Sequence, residues 1–254
     1  MMIKHLPSPN FNARKHRLNM LVLHYTGMRT GEAALARMCD PEAEVSAHYM
    51  VWESGEIVQL VEEEHRAWHA GVSSWQGESD LNSRSIGIEI VNGGHDWPAP
   101  DDRLPAYCEA QIDALIALCK SILARWTIPP TRIVGHSDIA PARKKDPGEH
   151  FPWDRLAAEG IGLMPVTDMP GQASAPGLIG RGLGPTDQGD AVLRVQTDLA
   201  RIGYACAPSG VYDGQTESVI RAFQRRWVQD RVSGLGDLLT LQRLEQIAEL
   251  YKTV

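Results

Sequence analysis

The sequence predicts an α/β domain with a central mixed β-sheet flanked by helices, followed by a small all-α domain of three helices. Three observations carry this. Short apolar or alternating runs of strand length, "MLVLHYT", "SIGIEIVN" and "RIVGH", are interleaved with helical stripes in the N-terminal part. The stretch "PVTDMPGQASAPGLIGRGLGPTDQG" is rich in Pro and Gly and has no period, so it reads as a linker over 165–188. Beyond it, only helical periodicity is left.

Taken in order, Met20 to Thr26 is a buried strand with His24 near its end, and "GEAALARMCD" is a short helix stopped before Pro41. "HYMVWESGEIVQLV" reads as two strands around a Ser54-Gly55 turn. In "SIGIEIVN" the alternation puts Ile86, Ile88 and Ile90 on one face and Gly87, Glu89 and Val91 on the other. "AYCEAQIDALIALCKSILARW" carries the clearest helical stripe and ends before Pro129-Pro130. "RIVGH" is then a short strand that delivers His136. In the C-terminal part, Val192/Val195/Leu199/Ile202, Val219/Ile220/Phe223/Trp227 and Leu238/Leu241/Leu244/Ile247 mark three helices, and no internal repeat is evident. The expected division is 1–164, a linker over 165–188, and 189–254.

The 254 residues carry a net charge of −7, which argues against a nucleic-acid partner. No apolar stretch is long enough to cross a bilayer, so no membrane partner is expected. The N-terminus lacks the apolar core of a secretory signal, so the chain as written reads as cytoplasmic, or as cell envelope if a signal was trimmed. The four cysteines form no CxxC pair and are expected to be reduced. Oligomeric state is not legible.

The chemistry centres on "GHSDIAPARKKDPGEHFPW". His24 and His136 at strand ends and Asp146 in a loop are the residue types of an open metal site, with three protein ligands and room for water. They could equally be strand-end histidines satisfied by backbone and a turn aspartate ahead of Pro-Gly. Glu89 is a carboxylate in an isoleucine-rich strand; its face is either solvent-exposed or lines a cleft, where desolvation would raise its pKa toward that of a general base. Lys144 could stabilise an oxyanion or simply be solvated. His48 reads as structural, and His5, His16, His65, His95 and His150 as solvated.

"LVLHYT", "VSAHYMVWESGEIVQLV", "RAWHAG", "NSRSIGIEIVN" and "GHSDIAPARKKDPG" occur in this order. Together they resemble the zinc-dependent N-acetylmuramoyl-L-alanine amidases of the AmpD and AmiD type, a domain related to the peptidoglycan recognition proteins. The resemblance implies Zn2+ held by His24, His136 and Asp146, with Glu89 and Lys144 as catalytic residues. It implies substrate contacts from Trp68, His69, Asn82 and Arg143, and a peptidoglycan or muropeptide substrate cut between N-acetylmuramic acid (or its 1,6-anhydro form) and L-alanine. The alternative is a recognition protein that binds muropeptide without cleaving it. "VLRVQTDLARIGY" and "GVYDGQTESVIRAFQRRW" resemble the three-helix peptidoglycan-binding domain, with Gln196, Tyr204, Tyr212, Asp213 and Gln224 as polar or loop candidates for glycan contact. Tethering such a module would raise the effective substrate concentration.

Overall fold

The structure, a computed structural model, describes residues 2–165 and 182–253. The expected linker therefore lies outside the described residues over 166–181. The elements are β1 (Ile3–His5), β2 (Phe11–Ala13), β3 (Met20–Tyr25), α1 (Gly31–Cys39), β4 (Tyr49–Val51), β5 (Ile57–Gln59), β6 (His65–Ala67), α2 (Leu81–Arg84), β7 (Ser85–Ile90), α3 (Glu109–Arg125), β8 (Ile133–Gly135), α4 (His136–Ile139), α5 (Trp153–Ala158), α6 (Asp190–Ile202), α7 (Gly214–Trp227) and α8 (Leu238–Thr253).

Six strands form one mixed sheet in the order β1-β5-β4-β7-β3-β8, and β2 pairs antiparallel with β6 beside it. In the large sheet only the β4–β5 hairpin is antiparallel. Its turn places Gly55 at φ 84°, a backbone region that favours glycine. The sequence did not signal β1, whose three residues are too few to show a period.

The alternation in β3 and β7 decides the two faces of the sheet. Leu21, Leu23, Ile86, Ile88 and Ile90 pack against Ile112, Leu115, Leu118, Cys119 and Ile122 of α3. On the opposite face Met20, Val22 and Val134 meet Trp75, Leu81 and Ile139. This cluster runs without a break into Val192, Leu199, Val219 and Phe223 of the C-terminal helices. The second face of the sheet and the helical bundle thus share one core.

Polar contacts cross the same boundary. Asp138 of α4 is fully buried; its Oδ2 pairs with Arg226 Nη1 at 2.9 Å and its Oδ1 accepts from Tyr204 Oη at 2.7 Å. Arg226 Nη2 donates to the Ile133 carbonyl, and the guanidinium lies over the rings of Trp153 (4.2 Å) and Trp227 (4.6 Å). Gln229 donates to the Phe151 carbonyl.

Inside the bundle one stitch occurs twice. Gln196 donates to Val211 O and Thr216 Oγ1 and accepts from Gly210 N. Gln224 donates to Leu235 O and Thr240 Oγ1 and accepts from Gly234 N. A repeat absent from the residue string is therefore present in hydrogen bonding. Both amides are fully buried, and Tyr204 and Tyr212 nearly so. Tyr212 Oη donates to Gly234 O, and Asp213 caps α7 through Thr216 N. These candidates for glycan contact thus make hydrogen bonds within the fold. Residues 182–188 belong to the same body, since Leu183 bridges Gly236 and Gln188 bridges Val211. Among the described residues no helix is long and apolar enough to cross a membrane.

Candidate metal centre and catalytic cleft

Parallel pairing places His24 of β3 beside Glu89 of β7, and Leu23 beside Gly135 of β8. His136 follows Gly135 directly, so two strand ends bring His24 and His136 together across 112 residues of chain. Asp146 arrives from the loop after α4. Its carbonyl accepts from Ser137 N at 2.8 Å, which holds the loop against the helix that begins with His136. Gly148, at φ 87°, turns the chain away immediately afterwards.

His24 Nδ1, His136 Nδ1 and Asp146 Oδ2 form a triangle with sides of 2.9, 3.0 and 3.0 Å, and all three residues are buried. The far ring nitrogens fix what the near ones present. His136 Nε2 lies 3.1 Å from the Ala70 carbonyl, which can only accept, so Nε2 carries the proton and Nδ1 a lone pair. His24 Nε2 meets His69 Nδ1 at 3.0 Å, His69 Nε2 meets Ser85 Oγ at 3.2 Å, and Ser85 Oγ donates to Leu81 O at 2.6 Å. Read back from that last carbonyl, each group accepts from the next, so His24 Nε2 carries the proton and His24 Nδ1 also presents a lone pair. Two imidazole lone pairs and a carboxylate therefore converge with no proton between them. Such an arrangement repels itself unless a cation sits among the three atoms. Its spacing suits ligand bonds of about 2.0–2.2 Å to a small divalent ion.

The electrostatics agree. Burial, with His136 and Lys144 adding to it, pushes His24 down to about 4, which keeps the imidazole in its ligating form.

Glu89 stands beside this triangle. It is half-buried on the cleft wall, its enclosed Oε2 has no hydrogen-bond partner, and burial together with Asp146 raises its pKa well above the ordinary range. A cleft of about 440 Å3 opens here, lined by His24, His69, Glu89, His136, Arg143, Lys144 and Asp146. Its wall also includes Tyr25, Arg37, Asp96 and Lys145, which the sequence did not single out.

The remaining expected site residues separate. Arg143 reaches the cleft while its Nη2 donates to the Ala70 and Val72 carbonyls. His69 is buried behind His24, with both ring nitrogens engaged. Asn82 is buried, does not line the cleft, and uses Oδ1 to accept from His69 N and Ala70 N. Trp68 is half-buried and also lies outside the cleft wall. His48 is structural, as expected: its Nδ1 accepts from Gly87 N, and Nε2 lies 3.1 Å from the His65 carbonyl. His95 and His150, expected to be solvated, are packed. His95 links Tyr25 Oη to Glu149, and His150 stacks on Tyr107.

Residues 14–149 match the family model described as N-acetylmuramoyl-L-alanine amidase, and residues 188–244 match a model described as a peptidoglycan binding domain. The N-acetylmuramoyl-L-alanine amidase AmiD of Escherichia coli is 38% identical over 242 residues, 92% of this chain and 84% of that protein. A solved complex of that E. coli amidase with anhydro-N-acetylmuramic acid-L-Ala-D-gamma-Glu-L-Lys superposes with a TM-score of 0.76, at 36% identity, covering 94% of this chain and 93% of the other. AmpDh3 of Pseudomonas aeruginosa gives a TM-score of 0.73 at 32% identity, covering 93% of each chain. The 1,6-anhydro-N-acetylmuramyl-L-alanine amidase AmpD of E. coli is 36% identical over 60% of this chain and 89% of its own length. With the His-His-Asp triangle, Glu89 and Lys144 all inside the matched span, and with similarity to AmiD along nearly its whole length, the chain belongs to the N-acetylmuramoyl-L-alanine amidase family.

Proposed function

We propose that the chain is a zinc-dependent N-acetylmuramoyl-L-alanine amidase. It hydrolyses the amide between N-acetylmuramic acid, or its 1,6-anhydro form, and L-alanine of the stem peptide. The observation that carries this is the convergence of two imidazole lone pairs and a carboxylate beside Glu89, whose enclosed Oε2 has no partner. His24, His136 and Asp146 would hold the ion, and the set of two imidazoles and one carboxylate suits Zn2+ with a position left open. When bound, zinc supplies Lewis acidity that polarises a carbonyl and makes water more acidic.

The chain's own groups do the rest. Glu89, whose affinity for a proton is raised by burial, takes a proton from the attacking water and returns it to the departing L-alanine amine. Lys144, on the cleft wall, provides positive charge where the oxyanion develops. Arg143, braced on two backbone carbonyls, contacts substrate at the rim. In domain terms, 1–164 carries catalysis and 189–254 is the peptidoglycan-binding part, joined by the expected connection over 165–188, whose residues from 182 onward pack with the bundle.

The test is product analysis on intact sacculi and on soluble anhydromuropeptide in parallel, with and without a chelator. Free stem peptide should appear, vanish on chelation and return with Zn2+. Binding to either substrate with no release of stem peptide would establish the recognition-protein reading instead.

A further inference from the structure

We infer that Asn82, His69 and the Ala70 carbonyl form one bracket that sets the orientation and protonation of both imidazole ligands, making Asn82 and His69 positioning residues for the metal. This rests on the reading of the triangle as a metal site. Asn82 Oδ1 takes the backbone N–H of His69 at 3.0 Å and of Ala70 at 2.7 Å. The residues it pins then act on the two histidines separately. The His69 ring receives His24 Nε2–H, and the Ala70 carbonyl receives His136 Nε2–H. Both chains end on backbone carbonyls, Leu81 O and Ala70 O, so neither ligand can adopt the other tautomer without breaking a buried hydrogen bond.

The sheet leaves the His69 ring no freedom. A Cβ added at Gly87 would lie 2.4 Å from His69 Cγ and 2.5 Å from its Nδ1. Glycine in the middle of β7 is thus the space into which the bracket's imidazole fits. Asn82 and His69 carry out this work without touching the reacting atoms.

The test uses the full chain, stripped of metal. Zn2+ affinity is measured by competition with a chromophoric chelator, and the ligand field is read from the visible spectrum of the Co2+-loaded protein. Asn82→Ala and His69→Phe should each weaken Zn2+ binding about 10–100-fold and alter the cobalt spectrum. His69→Asn, which keeps an acceptor near the Nδ1 position, and Asn82→Asp, which keeps the Oδ1 acceptor, should recover most of the affinity. Gly87→Ala should reproduce the His69→Phe phenotype by displacement alone. Binding within two-fold of wild type and an unchanged cobalt spectrum in both Asn82→Ala and His69→Phe would overturn the bracket while leaving the metal site standing. Absence of stoichiometric Zn2+ binding by the wild-type chain would instead overturn the metal reading, and the bracket with it.

Discussion

The two sides of α4 hold two buried carboxylates in opposite circumstances. On the side facing the helical bundle, Asp138 has a donor for each oxygen: Tyr204 at Oδ1, and Arg226 and Gly135 N at Oδ2. On the cleft side, Asp146 Oδ2 faces two ring nitrogens that present lone pairs, and Glu89 nearby has an oxygen with no partner. Burial is similar in both places; satisfaction is not. Where burial and pairing coincide, the charge belongs to the architecture. Where buried groups are left short of a proton or a cation, they are poised to take one up. His136 and Asp138, two residues apart, point to opposite sides of this divide.

The comparison can be broken most severely at the triangle. His24→Ala removes one of three ligands and is expected to take stem-peptide release to background, with Zn2+ binding lost in the same chelator titration. Glu89→Gln keeps the shape and the ligands, so metal should remain bound while turnover falls about 10²–10⁴-fold. Turnover near the wild-type rate would remove Glu89 from the reaction.

That variant also sharpens the comparison through pH. The folded state raises the Glu89 pKa above its ordinary 4.5, so the folded protein binds this proton more tightly than the unfolded chain does. The stabilisation from this group is full below that value and is lost as pH rises through the folded pKa. Metal-free Glu89→Gln should therefore show a flatter decline of melting temperature from about pH 5 to about pH 8 than metal-free wild type. Parallel curves would mean the carboxyl carries no such penalty.

On the architectural side, Arg226→Ala strands Asp138 in the core and should cost about 3–5 kcal/mol, read as loss of thermal or denaturant stability. Zn2+ affinity of the folded fraction should stay within a few-fold of wild type. A larger loss would show that the two sides of α4 are a single unit. Tyr204→Phe removes one of the Asp138 donors and is expected to cost the least, about 1.5–3 kcal/mol in the same unfolding measurement.

Residue types alone leave His24, His136 and Asp146 open to a metal-free reading; the five ordered blocks of the family resemblance single them out, and the fold brings the three side chains together. The strict alternation around Ile86, Ile88 and Ile90 placed Glu89 on the face opposite the core, and that is the face the cleft occupies. The bracket was not legible, since Asn82, His69 and His24 belong to three separate segments that only strand register brings together. Asp138 lies inside the same short motif as His136, and nothing in the residue string says that its side-chain partners come from 66 and 88 positions downstream. The task of the two bundle glutamines was not legible for a related reason. A glutamine between apolar positions looks available for ligand, but Gln196 and Gln224 use their amides to hold loop backbone that would otherwise be buried unpaired.

The fastening of Arg226 and Tyr204 to Asp138 has a mechanical meaning. A bundle secured in this way does not sweep at the end of a leash; it keeps one bearing relative to the cleft. Its position relative to Glu89 is set by buried contacts, not by the length of the segment that connects it to the sheet.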